Sequence, residues 1–181
     1  FIVGFDNDRP SIFQRQIDFI QRSGIVTAMV GLLQAPAGTR LYRRLQQEGR
    51  LRDKVSGDNV DGTTNIVPEM DLEVLLRGYE DIMKYIYSPE HYMERVKTFL
   101  RDYEPPAIKA PLDHQYVLAF FRSIYHLGIV DKARLYYWNL FFWTLFRRPA
   151  HFPMAITLAI YGFHFRKICE LHAFGAIDQT I

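Results

Sequence analysis

The first fifty residues alternate between short apolar runs and amphipathic segments, and this alternation restricts the fold more than any other feature of the sequence. Residues 1–6, FIVGFD, and residues 25–33, IVTAMVGLL, are apolar and lack helical periodicity. Such runs are typical of strands that are buried on both faces of a parallel sheet. Because an isolated strand of this kind is rarely stable, we expect residues 1–6 to belong to a larger sheet.

Signals for the start and end of helices separate these runs. Residues Asn7–Ser11 contain an Asx cap and a proline suited to a first helical turn, and Gly24 stands where that helix would end. Thr39 is placed to cap a second helix over residues 40–48, which Gly49 would end. The order β-α-β-α predicts two parallel strands and two helices, the unit of a parallel sheet or of a β/α barrel.

The apolar pattern becomes helical after residue 70. Apolar residues recur at helical spacing from Leu72 to Ile86, and the pattern predicts further helices near residues 89–101, 113–126, 131–146 and 149–174. Residues 53–68 are rich in Gly, Asp, Asn and Thr, which indicates a loop. We therefore predict an α+β, mostly α fold that consists of the end of a truncated β/α barrel (1–52), a linker (53–68) and an all-α helical domain (69–181).

Composition excludes several classes of function. The 22 Lys and Arg residues stand against 20 Asp and Glu residues, so the net charge of +2 does not indicate a nucleic-acid partner. The single cysteine, Cys169, rules out an internal disulfide and any zinc or iron–sulfur site made only of this chain's cysteines. One cysteine is compatible with a cytoplasmic location, which is the location we expect.

The sequence offers little for catalysis or metal binding. His164, Cys169 and His172 have spacings that helical metal sites use, but no carboxylate completes the ligand set, so we expect no metal site. The chain contains no G-x-S-x-G motif, no phosphate loop and no paired-glycine dinucleotide motif. We therefore predict no catalytic residue in this chain.

The run at residues 135–146, LYYWNLFFWTLF, is apolar and aromatic but shorter than the roughly 18 residues of a spanning helix. We favour a buried core helix here. An interfacial helix at a membrane surface stays open, because Trp138 and Trp143 are followed by Arg147 and Arg148.

The carboxyl ends of parallel strands meet at one edge of a sheet, where α/β proteins bind ligands. Gly4, Phe5 and Asp6 end the first predicted strand, and Leu33, Gln34, Ala35 and Pro36 end the second. A glycine at such an edge lets a ligand approach the backbone closely. The same segments also admit an interpretation without function, in which their glycines allow turns and the residues Asp8 and Thr39 cap helices.

FIVGFDND, followed by a helix and then by GLLQAPAGTRLYRRLQQEGRL, resembles the last two β/α units of radical S-adenosylmethionine (radical SAM) enzymes. The similarity is strongest to the branch with an N-terminal cobalamin-binding domain, through residues 36–39 (PAGT) and 49–51 (GRL). The remaining residues, which include NIVP at 65–68 and YSPEHY at 87–92, resemble the helical domain of unknown function that follows the barrel in that branch.

The resemblance implies a larger parent enzyme that cleaves S-adenosylmethionine reductively at a [4Fe–4S] cluster, with cobalamin as a further cofactor. Such an enzyme would methylate or otherwise modify an unactivated carbon of a small-molecule or lipid-like substrate. The family holds its cluster on three cysteines of a C-x-x-x-C-x-x-C loop, which this sequence lacks. We therefore expect a C-terminal fragment that is inactive alone and binds none of these cofactors by itself.

The resemblance also assigns positions to the two strand ends. Gly4, Phe5 and Asp6 match the segment that lies beside S-adenosylmethionine in such barrels, and Leu33 to Pro36 match the final strand edge near the adenine. The alternative function is a non-catalytic helical interaction or scaffold module. Association with a membrane surface is a third hypothesis, which the aromatic run at residues 135–146 suggests.

Overall fold

The computed structural model describes residues 1–52, 62–105 and 114–172, without the side chains of residues 171 and 172. The described part of the chain contains two strands and a series of α-helices, joined in one place by a π-helical turn (Ile124–Val130) and in another by a 3₁₀ turn (Pro149–His151). This architecture confirms the α+β, mostly α fold class. The elements are β1 (Ile2–Val3), α1 (Ser11–Ser23), β2 (Gly31–Leu32), α2 (Arg40–Gln47), α3 (Leu72–Ile86), α4 (Pro89–Asp102), α5 (His114–Ser123), α6 (Arg134–Arg147) and α7 (Phe152–His172).

β1 and β2 are parallel, with Ile2 paired to Gly31 and Val3 paired to Leu32. The backbone N–H of Leu33 donates to the carbonyl of Val3 at 2.8 Å, which continues the ladder beyond β2. The predicted length of the second strand, residues 25–33, is wrong. Strand pairing with β1 is limited to Gly31 and Leu32, and before them the N-terminal amine of Phe1 donates to the carbonyl of Met29 at 2.7 Å.

The predicted ends of the first two helices are confirmed. Gly24 and Gly49 follow α1 and α2 with φ angles of +68° and +67°, a region that side chains other than glycine rarely adopt. Thr39 Oγ1 accepts the backbone N–H of Tyr42 at 3.1 Å and so caps α2. These signals are local in the sequence, which explains why they could be predicted.

The helix predicted to end before Gly128 continues instead through the π-helical turn. The indole N–H of Trp138 donates to the carbonyl of Gly128 at 2.9 Å, and a Cβ at residue 128 would lie 3.0 Å from the Trp138 ring. The turn ends at Asp131, whose backbone N–H donates to the carbonyl of His126 at 3.0 Å. The π-helical turn therefore occurs where Gly128 contacts the ring of Trp138, ten residues later in the chain.

The described residues form two compact units. The first, here called the sheet unit, consists of residues 1–19, 28–86 and 168–172, and the second, the helical unit, consists of residues 20–27 and 87–167. The predicted domain limits at residues 52 and 69 stay a prediction. No described helix has both the length and the apolar character that crossing a bilayer requires.

In the sheet unit, α3 contacts α1 and the residue that follows β1. A Cβ at Gly4 would lie 3.1 Å from Cδ2 of Leu75, and a Cβ at Gly78 would lie 2.2 Å from the ring of Phe13. The contact therefore brings the first helix of the predicted all-α region next to β1. The helical unit buries its own core, which includes Tyr92, Val96, Leu100, Tyr137 and Leu140.

Candidate functional site

The parallel register brings the two predicted strand ends to one edge of the sheet. Gly4 directly follows Val3 and Leu33 directly follows Leu32, and Val3 and Leu32 are paired residues. A Cβ at Gly4 would lie 3.6 Å from Cβ of Leu33, which is ordinary contact distance. Gly4–Asp6 and Leu33–Pro36 are therefore neighbours, as expected for parallel strands.

Gly4 is buried and has a φ angle of +105°, so the turn after β1 requires a glycine. The backbone N–H groups of Gly4 and Phe5 both donate to Oδ2 of Asp8, at 2.9 and 3.0 Å. Asp8 therefore closes this turn, three residues before α1 begins. The amides of Gly4 and Phe5 are thus engaged within the chain, whereas the Phe5 ring is 46% exposed.

Asp6 lies between two arginines. Its Oδ2 accepts from Nη2 of Arg44 at 2.6 Å and its Oδ1 accepts from Nη2 of Arg50 at 2.7 Å. These contacts, and that of Arg50 above all, lower the pKa of the Asp6 carboxyl below its ordinary value. Asp6 is therefore an ionised link between the end of β1 and the α2 region.

The second strand end is held by the segment at residues 63–65. Oδ1 of Asn65 accepts the N–H of Ala35 at 2.8 Å, and Nδ2 of Asn65 donates to the carbonyl of the same residue at 2.9 Å. Thr64 Oγ1 donates to the carbonyl of Leu33 at 2.6 Å, and Gln34 Nε2 donates to the carbonyl of Thr63 at 3.2 Å. The backbone at Leu33 and Ala35 is therefore held by a segment about thirty residues later in the chain.

Asn65 is the site residue to which the sequence pattern assigned no role. It is only 1% exposed, and its side chain satisfies both backbone groups of Ala35. The available signal was its position before Ile66 and Val67, two apolar residues at the end of a polar loop. The antiparallel bridge between Leu51 and Ile66 brings that segment alongside the chain after α2.

The exposed part of the predicted site is small and lacks a nucleophile. Gly4, Leu33 and Ala35 are buried, Asp6 and Gln34 are half-buried, and Phe5 and Pro36 are exposed. Here the name edge surface refers to Phe5, Gln34 and Pro36. Two apolar rings and one carboxamide suit contact with a flat heterocycle, so these residues fit an adenine-containing ligand such as S-adenosylmethionine.

The predicted donors for a metal do not form a site in the described residues. His164 and Cys169 lie on α7, while the side chain of His172 lies outside the described part. Burial raises the pKa of the Cys169 thiol to about 11, so it stays protonated at neutral pH. No group of three His, Cys, Asp or Glu side chains in the described residues could hold a metal ion. One protonated cysteine does not supply the several thiolates that hold a [4Fe–4S] cluster.

The interpretation of residues 135–146 as a buried core helix is wrong for one face of α6. Tyr137, Leu140 and Thr144 are buried, but Leu135 and Phe146 are 76% and 77% exposed. The exposed face is apolar and borders a surface groove, here called the aromatic groove. Its lining residues are Lys97, Leu135, Trp138, Asn139, Phe142, Trp143, Phe146 and Arg147.

The helical unit also contains a pocket of about 30 Å³ beside Tyr92, Tyr137 and Gly162. The ion pair between Arg166 and Asp131 forms part of its wall. This volume accommodates about one water molecule. It is therefore too small for an organic substrate.

Comparison with known proteins finds two relatives that are named as methyl-transferring enzymes. Residues 39–175 match a Domain of unknown function, DUF4070. The chain is 32% identical to an uncharacterized methyltransferase of Synechocystis sp. (strain ATCC 27184 / PCC 6803 / Kazusa), over 94% of this chain and 33% of that protein. It is 35% identical to the hopanoid C-2 methylase of Rhodopseudomonas palustris (strain TIE-1), over 52% of this chain and 17% of that protein. The chain thus spans a third or less of each curated relative, and no solved structure matches it.

The family match begins at Thr39, the cap of α2, and covers more than half of the chain. The partial matches to two longer relatives confirm the resemblance to the C-terminal part of such enzymes. On this evidence the chain belongs to the DUF4070 family, whose domain is found in cobalamin-binding radical SAM enzymes.

Proposed function

We propose that this chain is the C-terminal part of a radical SAM methylase, and that its edge surface contacts the adenosyl part of S-adenosylmethionine. The family match and the two methyl-transferring relatives support the reaction class. The hopanoid methylase among them supports a lipid-like small molecule, modified at an unactivated carbon, as the substrate class. The cofactor set of the proposal is S-adenosylmethionine, a [4Fe–4S] cluster and cobalamin, all in the parent enzyme.

The observation that carries the proposal is the parallel register of β1 and β2. It brings Gly4–Asp6 and Leu33–Pro36 to one edge of the sheet, where Leu33 bonds to the carbonyl of Val3 at 2.8 Å. The carboxyl edge of parallel strands is the usual ligand-binding edge of α/β folds. These two segments are also those that the family resemblance assigns to S-adenosylmethionine.

The chain's own residues would bind and orient the ligand. The exposed rings of Phe5 and Pro36 offer apolar contact to a purine, and the Gln34 carboxamide, which donates to the carbonyl of Thr63, lies on the same edge. Asp8 and Asn65 hold the backbone of the two strand ends through the bonds described above, so the edge is preorganised before any ligand arrives. S-adenosylmethionine, when bound, supplies the methyl group or the 5′-deoxyadenosyl radical.

The iron–sulfur cluster belongs to the part of the parent enzyme outside this chain. The only cysteine of the chain, Cys169, is buried and protonated, and no C-x-x-x-C-x-x-C loop occurs in the sequence. We assign no reaction step that involves the cluster to residues of this chain. Cobalamin is likewise assigned to the parent enzyme.

The test is equilibrium binding of radiolabelled S-adenosylmethionine to the full-length protein that carries this chain. We expect Phe5→Ala to weaken binding about tenfold, because it removes an aromatic ring from the edge surface that contacts the ligand. The matched control is Met29→Ala. Met29 is 60% exposed and lies before β2, at the opposite end of the same pair of strands, so its removal leaves the affinity unchanged.

Equal affinities in the wild type, Phe5→Ala and Met29→Ala would exclude the edge surface as the ligand site. A full-length protein without any affinity for S-adenosylmethionine would contradict the proposed function itself. The second candidate function, a non-catalytic helical interaction module, is favoured by the exposed apolar face of α6. That module predicts no affinity for S-adenosylmethionine, so the same binding experiment separates the two candidates.

A further inference from the structure

The proposed function does not use the outer face of α6. At 100° per residue, Leu135, Phe142 and Phe146 lie on the side of the helix opposite Tyr137 and Leu140. Phe142 is 48% exposed, and the other two outer residues are still more exposed. A helix that is apolar on all sides is normally buried on all sides or borders a lipid phase. The outer face of α6 is therefore apolar apart from Asn139, and such a face indicates contact with an apolar partner.

Cations border the aromatic groove. Lys97 from α4 and Arg147 at the end of α6 both line it, and the Lys97 ammonium lies 5.8 Å from the centre of the Trp143 ring. Nζ of Lys97 also donates to Oδ1 of Asn139. Such an ammonium over an indole ring forms a cation–π contact. The groove thus combines aromatic rings with positive charge.

Lys97 is partly buried and has three charged neighbours. Arg101 and Arg147 repel it and Glu94 attracts it, while burial is the main cause that lowers the pKa of Lys97. Two cations against one anion leave the surroundings of this ammonium with an excess of positive charge.

The whole helical unit shows the same excess. Residues 20–27 and 87–167 contain twelve Lys and Arg and six Asp and Glu, an excess of six positive charges. The rest of the chain contains ten Lys and Arg and fourteen Asp and Glu, an excess of four negative charges. The exposed aromatic face therefore lies on the unit that has the excess of positive charge. This charge is complementary to that of an anionic surface.

We propose that the aromatic groove docks onto the surface of a bilayer that contains anionic lipids. Trp138 and Trp143 lie at the level of the headgroups, where tryptophan side chains are favoured, and Phe142, Phe146 and Leu135 enter the acyl boundary. Lys97 and Arg147 contact anionic headgroups. α6 has 14 residues and lies in the plane of the interface, since it is too short to span the bilayer. This docking goes beyond the methylation reaction and does not depend on it.

The test is co-sedimentation of the full-length protein with phosphatidylcholine vesicles and with vesicles that also contain phosphatidylglycerol, in the absence of S-adenosylmethionine and substrate. We expect binding to the anionic vesicles that weakens as salt is raised. The variant Leu135→Asp/Phe146→Asp should bind at least tenfold more weakly, because it puts two charges on the face that enters the membrane. Both side chains are more than three-quarters exposed, so the fold should survive, which circular dichroism checks.

Three further variants make the test specific. Met29→Asp adds one negative charge at an exposed apolar position of the sheet unit, and it should bind the vesicles with nearly wild-type affinity. Lys97→Gln and Arg147→Gln should each weaken binding to anionic vesicles about fivefold and leave binding to phosphatidylcholine unchanged.

Absence of binding to both kinds of vesicle would overturn the proposal, as would undiminished binding of Leu135→Asp/Phe146→Asp. An oligomer in solution that this double variant dissociates, without vesicle binding by the wild type, would also overturn it and identify the groove as a subunit interface. None of these outcomes bears on affinity for S-adenosylmethionine. Failure of the docking proposal and failure of the proposed function are therefore distinguishable.

Discussion

The sheet unit and the helical unit each contain an arginine that links separate segments of the chain, but the two side chains have different surroundings. Arg50 in the sheet unit is 17% exposed and contacts the carboxylates of Asp6 and Glu48 at 2.7 and 3.0 Å. Arg95 in the helical unit is fully buried, and its Nη1 and Nη2 donate to Oε1 of Gln21 at 2.9 Å and to the carbonyl of Val26 at 3.2 Å.

The pKa shifts of the two guanidinium groups have opposite signs. The hydrogen bond to Asp6 is the main cause that raises the pKa of Arg50, whereas burial lowers the pKa of Arg95. Arg95 also lies over the ring of Tyr92, 5.3 Å from its centre. Arg50 is therefore balanced by carboxylates near the surface, whereas Arg95 is a cation in the core of the helical unit. A buried cation is costly to leave without its partners, so the helical unit should be the more sensitive to substitution.

The largest effect should come from Arg95→Ala. The substitution removes the donors to Gln21 and Val26 and leaves a cavity, so we expect the free energy of unfolding to fall by about 3–4 kcal/mol. Arg50→Ala is the matched variant in the sheet unit and should cost about 1 kcal/mol, because its ion pairs are partly exposed. Urea titration of both variants measures the difference. Equal losses of unfolding free energy would show that the different burial of the two arginines does not determine their contributions to stability.

Gly162 in the helical unit and Gly78 in the sheet unit allow the packing of the two units to be compared. A Cβ at either residue would lie 2.2 Å from an aromatic ring, that of Tyr92 for Gly162 and that of Phe13 for Gly78. Tyr92 is buried and its hydroxyl donates to the carbonyl of Leu158 at 2.9 Å, whereas Phe13 is only half-buried and has room to move.

We therefore expect Gly162→Ala to lower the free energy of unfolding by about 3 kcal/mol and Gly78→Ala by about 1 kcal/mol. Thermal unfolding compares the two variants. If the ring of Tyr92 is the obstacle, adding Tyr92→Ala to Gly162→Ala should cost less than the sum of the single variants. Strict additivity would argue against the packing explanation.

Asn65→Ala tests the polar contacts of the sheet unit. It leaves the buried N–H and carbonyl of Ala35 without their side-chain partner, so we expect a loss of about 2 kcal/mol in the free energy of unfolding. Asn139→Ala, at an exposed asparagine of α6, should change this free energy by less than about 0.5 kcal/mol. Chemical denaturation distinguishes the two, and similar small effects would mean that Asn65 does not hold the strand end.

The smallest effect concerns the pH dependence at Asp6. Because its pKa is lowered in the folded state, the carboxylate stabilises the sheet unit above the ordinary pKa of 3.8, and this contribution is lost as pH falls through the folded value. We expect Asp6→Asn to lower the free energy of unfolding at pH 7 by about 1 kcal/mol or less, since the pair is partly exposed.

The difference between Asp6→Asn and wild type should shrink below pH 3.8 and vanish once Asp6 is protonated in the folded protein. Urea titrations at pH 7, 4 and 3 measure it. Asp81→Asn, at an exposed carboxylate of α3, serves as the control. A difference that stays constant with pH would show that the arginine contacts of Asp6 do not contribute to stability.

Local sequence signals predicted much of this fold. The Thr39 hydroxyl caps α2 by accepting the N–H of Tyr42, three residues later, and glycines follow the ends of α1 and α2. The spacing of apolar residues predicted the bounds of α3, Leu72–Ile86, almost to the residue. These features depend on contacts within a few residues, or on a repeating pattern. For the candidate site, the pattern of two apolar runs predicted that Gly4–Asp6 and Leu33–Pro36 meet at one edge, because parallel strands align their carboxyl ends.

The tertiary structure decided what the sequence pattern left undetermined. β2 pairs over only two residues, because strand length depends on how much of a neighbouring strand is available. Asn65 holds Ala35 across thirty residues of chain, a pairing that no local rule contains. α6 is apolar on all sides, and only the packing of Tyr137, Leu140 and Thr144 in the core determined which face stays exposed. Caps and helix ends are determined by neighbouring residues and can be predicted from the sequence. Which side chain bonds to a buried backbone group, and which helix face stays exposed, is determined by contacts between segments that are distant in the sequence.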